Sequence, residues 1–408
     1  MAPQQLQMRI EKMQSPDSDL RFMALNDLAN DLAKNQLGNQ DEQSEAKLTR
    51  QVVSLLADKN SEVKNQAVNL GQLIKVVRPA QMDSTIDQLI EYSGGKDDEL
   101  RDIAGLALKT VTAELPLDGT VAPRAIQKLV PKLLQQLGSA NTPPDALIET
   151  LATLTILVTR FPSQVPPQEP MTVLTPLLLH GRPAVRKRAI STIASFVPTL
   201  SQGDLQQFIA STILPGLQPS ASLEKQRTTV HLVAAVARYL ASSLNDVVPS
   251  VLDGVKKDDE ELREAGLQLL AAVITTKPAM AEELYNTVAP VLVSRFADRE
   301  PTVRYEVWAA LTLLVRQPSP ALDALAPKFL KQLLKTLSPK SAPPVQALTL
   351  LNTLLAPDSF DSKLLAGTEV QLFKILVHPE ALPTFSLLAK HASPSEDVKQ
   401  KLVSLMHE

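Results

Sequence analysis

The sequence predicts an all-α solenoid of about nine stacked helical hairpins. A short phrase recurs roughly every 40 residues, and the apolar residues that follow it are spaced for one helix face. The core material is aliphatic, since apolar residues make up 44% of the chain and aromatics only 3%. Glycine is scarce (13) against 31 prolines, as short helices separated by tight turns require.

The phrase is an acidic or polar turn, then Leu or Val, then a basic residue, then an amphipathic stretch. It reads Leu20-Arg21, Val63-Lys64, Leu100-Arg101, Val185-Arg186, Leu262-Arg263 and Val303-Arg304. The basic residues are separated by 43, 37, 85, 77 and 41 positions, so the two long intervals each hold about two periods. Weaker copies fill them, one beginning near Asp145 and one containing Arg227, and a ninth begins near Pro344. Such a period marks HEAT or armadillo units, each with room for two helices. In four copies the second helix repeats its apolar offsets: Val63, Ala67, Leu70, Ile74; Leu262, Gly266, Leu269, Val273; Val303, Val307, Ala310, Leu314; and, shifted by one residue, Val185, Ala189, Ile193, Phe196. The first helices read similarly at Leu48 to Leu56 and Val288 to Phe296. Pro116, Pro162, Pro198, Pro278 and Pro318 fall between helices, where no ladder is broken. Residues 1–360 therefore form the solenoid, and 361–408, with a short polar helix from Ser395 to Met406, form a cap or its continuation.

The acidic turns have a mechanical reading. In Asp97-Asp98-Glu99-Leu100-Arg101 and Asp258-Asp259-Glu260-Glu261-Leu262-Arg263, carboxylates stand at a helix start, where they cap free N–H groups and oppose the dipole. The recurring basic residue can then reach an acid of the adjacent repeat. Treated as exposed pairs, these contacts are worth roughly 0–1 kcal/mol, so Arg101→Ala and Arg263→Ala are expected to lower the melting temperature only modestly.

The residue inventory points away from catalysis. Cysteine is absent, so no thiolate metal site or cysteine nucleophile exists. His180, His231, His378, His391 and His407 are scattered and form no ligand pair at helical spacing. Gly94-Gly95-Lys96 lacks the earlier glycine of a phosphate loop and reads as an inter-helix turn. No metal, cofactor or enzyme activity is expected. A formal charge of −3 and no basic stripe interleaved with aromatics argue against nucleic-acid binding. No apolar run approaches the length of a membrane span, and residues 1–13 do not read as a signal peptide. Cytoplasm or nucleus is the expected location.

What remains is surface. The recurring basic residues Lys64, Arg101, Arg186 and Arg304 are candidate partner contacts, and the cluster of Arg186 with Lys187 and Arg188 suits an acidic partner surface. Arg182 extends the basic cluster, which otherwise reads as a solvated helix face. Trp308, the only tryptophan, stands with Tyr305 and is either a partner contact or inter-repeat packing.

The local phrases resemble the cullin-associated, neddylation-dissociated (Cand) family in its N-terminal part. They are Arg21-Phe-Met-Ala-Leu-Asn-Asp-Leu28, Leu56-Ala-Asp-Lys-Asn-Ser-Glu-Val63, Glu99-Leu-Arg-Asp-Ile103, Leu108-Lys-Thr-Val111 and Glu114-Leu-Pro116. They continue with Ala184-Val-Arg-Lys-Arg188, Asp259-Glu-Glu-Leu-Arg-Glu264 and the stretch from Tyr285 to Trp308. The resemblance runs in order over roughly residues 8–355. It implies a non-catalytic scaffold that wraps unneddylated cullins and promotes exchange of substrate receptors on cullin–RING ubiquitin ligases. It implies that these repeats lie near the cullin C-terminal region and its RING subunit. In the family the far C-terminal repeats compete with the adaptor; a second chain carrying them is the expected partner here. One departure stands out: only residues 265–284 separate the segments where the family carries a further repeat with a long acidic insertion. Two other classes fit a helical-repeat chain. An importin-like transport receptor expects an acidic concave surface, against which basic Lys64, Arg101 and Arg186 weigh. A regulatory subunit of a phosphatase or similar assembly would be recognised by its catalytic partner.

Overall fold

The computed structural model describes residues 3–38, 40–70, 73, 76–117, 119–240, 244–276, 286–317, 321–357 and 360–407. Among the described residues every regular element is helical. Ile74, Pro278, Tyr285 and Pro318 lie outside them. The chain divides into two compact units, residues 1–207 and 208–408.

The first unit holds five hairpins: α1 (Pro3–Met13) with α2 (Ser18–Ala33), α3 (Glu42–Ser54) with α4 (Ser61–Ala67), α5 (Pro79–Ser93) with α6 (Asp98–Glu114), α7 (Val121–Gly138) with α8 (Pro144–Arg160), and α9 (Gln168–Leu174) with α10 (Pro183–Phe196). First helices pack on first helices along the series α1, α3, α5, α7, α9, and second helices pack on second helices, as α6 on α8 and α8 on α10. This gives two parallel layers. No hairpin can cover its own apolar face, so each is completed by its neighbour.

The division falls within α11 (Gln202–Phe208), and the second unit repeats the scheme. Its first layer is α12 (Leu214–Leu217), α14 (Leu244–Lys256), α16 (Ala289–Ser294) and α18 (Ala321–Thr336). Its second layer is α13 (Leu223–Leu240), α15 (Glu260–Thr276), α17 (Pro301–Val315) and α19 (Val345–Leu355). Beyond these come α20 (Glu369–Leu376), α21 (Leu382–Leu388), which packs on α19, and α22 (Glu396–His407).

The apolar offsets read from the sequence are the inter-repeat core. Val303, Val307, Ala310 and Leu314 are wholly buried, as are Val185, Ala189, Ile193 and Phe196. Each buried aliphatic side chain contributes about 1.5–3 kcal/mol, which is the main force closing the stack. Gly266 occupies one such offset because α14 comes so close that an added Cβ would lie 2.8 Å from Val255 Cγ2. Buried threonines sit on the same layers without penalty, since Thr49, Thr150, Thr192 and Thr312 each donate to a carbonyl four residues earlier. The acidic turns cap as expected: Asp97 accepts from Leu100 N at 3.1 Å and Asp259 from Leu262 N at 2.9 Å. Prolines are not confined to turns, however. Pro131, Pro249 and Pro327 lie inside the first helices α7, α14 and α18, each removing one hydrogen bond from its ladder.

Candidate partner-binding surface

The recurring basic residue stands one turn into each second helix and there meets two kinds of acceptor. The first is the carbonyl pair five and six residues before it. Arg21 donates to Ser15 O and Pro16 O, Arg186 to His180 O and Gly181 O, and Arg304 to Asp298 O and Arg299 O. These bonds tie the helix start to the turn that leads into it.

The second acceptor is a carboxylate of the following repeat. Arg21 grips Asp58 through Nε and Nη2 at 2.7 and 2.8 Å. Lys64 pairs with Glu99, and Arg227 forks onto Asp259 while reaching Glu261. Arg263 donates to Asp298 Oδ1 at 3.0 Å, and its Nε lies 3.0 Å from Oδ2, off the hydrogen-bond direction. The expectation that the basic residue reaches an adjacent acid holds at these four rungs. The modest energy expected of Arg263 does not follow, because its side chain is 1% exposed and that of Asp298 2%. A buried pair answers to desolvation rather than to surface screening.

Two rungs are broken, which corrects the expectation for Arg101 and Arg304. Asp58 and Asp298 share a turn in which the carboxylate accepts from the backbone N–H two residues on, at Asn60 and Glu300. In the turns facing Arg101 and Arg304, Ser139 and Ser338 make that bond instead, to Asn141 N and Lys340 N. A hydroxyl replaces the carboxylate, so no acid is offered across the repeat. Arg101 turns back to Asp98, 2.7 Å away on its own helix and 83% exposed, and among the described residues Arg304 has its two carbonyls and no ion pair.

The remaining candidates separate by burial. Lys187 is exposed and Arg188 half-buried on α10; with exposed Arg182 they have no side-chain ion pair among the described residues. Trp308 is 2% exposed, and its ring centroid lies 5.9 Å from that of Phe296 and 5.8 Å from that of Tyr305. It is buried against the aromatic rings of its own repeat.

The sequence reading missed an acidic face in the second unit. Half-buried Glu264 on α15 and Glu306 on α17 both accept from Gln268 Nε2, at 3.4 and 3.1 Å. Desolvation and then the charges of Glu306, Glu260 and Glu261 push the Glu264 carboxyl up. The available signal was a glutamate closely following the recurring arginine in consecutive copies, at Arg263-Glu264 and Arg304 with Glu306.

Arg21 holds the Asp58 carboxyl below the usual carboxylate range, chiefly by hydrogen bonding, and Arg227 does the same to Asp259. A depressed folded-state value stabilises fully above the unfolded value of about 3.9 and is lost as pH falls through the lower folded value. Urea midpoints should therefore hold from neutral pH to about 5 and fall below about 4. The pair Asp58→Asn with Asp259→Asn should flatten that acid limb, and an unchanged limb would remove these rungs from the account.

Fold and sequence comparisons now meet. Yeast importin-β (Kap95p) bound to RanGDP superimposes with a TM-score of 0.71 at 16% identity, covering 98% of this chain and 54% of that one. Kap121p bound to Pho4p gives 0.71 at 14% identity over the whole chain. At such identity the likeness establishes a HEAT-type solenoid and no more. A family model described as sister chromatid cohesion protein PDS5 matches residues 202–338. The sequence itself is nearer to another group. Cullin-associated NEDD8-dissociated protein 1 of Drosophila melanogaster is 33% identical over 308 residues, covering 73% of this chain and 24% of the relative. Protein 2 of the mouse, Mus musculus, is 28% identical over 400 residues, covering 76% and 32%. Over about three quarters of its length the chain is similar to these cullin-associated proteins, in keeping with the N-terminal part of the Cand family. It spans about a quarter to a third of the length of the curated relatives it matches.

Proposed function

We propose that this chain is a non-catalytic scaffold for cullin–RING ubiquitin ligase cores in the cytoplasm or nucleus. In this reading it binds the cullin C-terminal and RING side and regulates assembly, neddylation and substrate-receptor exchange. A second chain carrying the family's C-terminal repeats completes the grip. The supporting observation is the similarity to relatives named as cullin-associated, at 33% identity over 308 residues. A long partner held by many weak regions is bound tightly only when those regions act together, so this chain alone should bind weakly and leave an adaptor in place.

The basic face of α10 is the proposed entry contact, because exposed Lys187 and half-buried Arg188 have no side-chain ion pair among the described residues. The test is association with a purified cullin–RING complex, with and without the complementary chain. Lys187→Glu with Arg188→Glu should slow association about tenfold at low salt, with the defect shrinking as salt rises. Wild-type rates for this variant would return α10 to a solvated face. No cullin binding under either condition would remove the proposed function.

A further inference from the structure

The broken rung at Arg101 leaves a space as well as a buried N–H that lacks an acceptor among the described residues. A groove of about 740 Å³ opens there, lined by Arg101, Leu106, Ser139 and Asn141 among others from α5 to α8. It lies wholly within the first unit. The Arg101 side chain is 16% exposed, and its buried Nε has no hydrogen-bond partner among the described residues. Asp102 Oδ1 is 3.8 Å from that nitrogen, beyond hydrogen-bond reach. The pair with Asp98 is an exposed contact within one helical turn, a weak and exchangeable kind.

We propose that the groove receives one acidic side chain from a partner protein, which supplies to Arg101 the carboxylate that the Ser139 turn omits. The proposal deepens the scaffold reading and rests on its protein-binding character. Its chemistry is the chain's own: at Arg21 and Arg263 the same position is met by an aspartate from the next turn, and the matching turn here offers a hydroxyl. A planar guanidinium with an unmet N–H is best matched by a carboxylate, whose charge-assisted hydrogen bonds are the strong ones.

The groove's surroundings narrow the partner further. Glu91, Asp102 and Asp145 are exposed around it, and they repel a run of acids. Glu149, also in the lining, is held by Lys109 at 3.2 Å. The fitting segment is therefore a single Asp or Glu flanked by Lys or Arg: the isolated carboxylate goes to Arg101 and the basic flanks meet the exposed acids. Leu106, 38% exposed, adds an apolar wall for the stem of the inserted side chain.

The test uses the full chain and a labelled peptide of about twelve residues with one central glutamate between lysines. Its counterpart has glutamine in that place. Wild-type chain should bind the glutamate peptide about tenfold or more tightly than the glutamine peptide, as an added charge-assisted hydrogen bond predicts. Arg101→Gln should abolish the preference. Ser139→Asp should abolish it too, by closing the rung from within, and should raise the melting temperature where Arg101→Gln does not. Equal binding of the two peptides would show the exposed acids acting alone and overturn the proposal. So would no binding of either peptide, or an undiminished preference in Ser139→Asp. Cullin binding without the peptide preference would sink only this proposal. The preference without cullin binding would sink only the proposed function.

Discussion

Asp298→Ala should cost about 3–5 kcal/mol, the usual penalty for leaving a buried charge without its partner. Arg263, 1% exposed beside Asp298, would be left among the described residues with the Lys257 carbonyl and the more distant Asp258 carboxylate. Asp298 also accepts from Glu300 N, so its removal loosens the turn before α17. Trp308 lies in that helix and is the only tryptophan, which makes its fluorescence a local reporter of unfolding. The matched control is Asp98→Ala, which removes the 83% exposed partner of Arg101 and should cost no more than about 1 kcal/mol. Replacing both members of the buried pair by Arg263→Met with Asp298→Leu should recover much of the loss, because neither charge is then stranded. Equal, small costs for Asp298→Ala and Asp98→Ala in urea unfolding would show that burial does not govern this rung.

Trp308→Ala should be comparably damaging, about 3–5 kcal/mol, since it empties a large buried site packed on Phe296 and Tyr305. The neighbours Phe296 and Tyr305 lose an aromatic partner on either side. Trp308→Phe should be much milder. It keeps a ring in place and removes an indole N–H that is buried without a hydrogen-bond partner. Circular dichroism follows unfolding in both variants, and cullin association is measured well below the transition. A packing role predicts lowered stability with wild-type association for Trp308→Phe. Normal stability with lost association would make Trp308 an interface residue.

The two experiments bear on what can be read in a repeat sequence. The recurring arginine was visible because its neighbours repeat: a turn, an aliphatic residue, the cation, then apolar positions three and four apart. Its partner was only half visible. Asp58, Asp259 and Asp298 lie 32 to 37 positions further on, in turns of different length, so spacing alone does not align them. The shared backbone bond, from a side-chain oxygen to the N–H two residues later, aligns Asp58, Ser139, Asp298 and Ser338. That bond exists only once the turn is folded. The groove at Arg101 follows from the same fact and left no mark in the sequence reading, where Arg101 looked like every other copy.

By itself the sequence determined the all-helical class, the period, the buried offsets of the second helices, the capping role of the acidic turns and the Cand resemblance. These follow from local periodicity and from capping, which act within a few residues of chain. Only the tertiary structure decided the energetic rank of the rungs. Arg101 and Arg263 stand in near-identical phrases, yet one is paired at the surface and the other sealed with Asp298. Burial is set by what the next repeat lays across a residue, and a charge responds to that covering far more strongly than to its own neighbours in sequence.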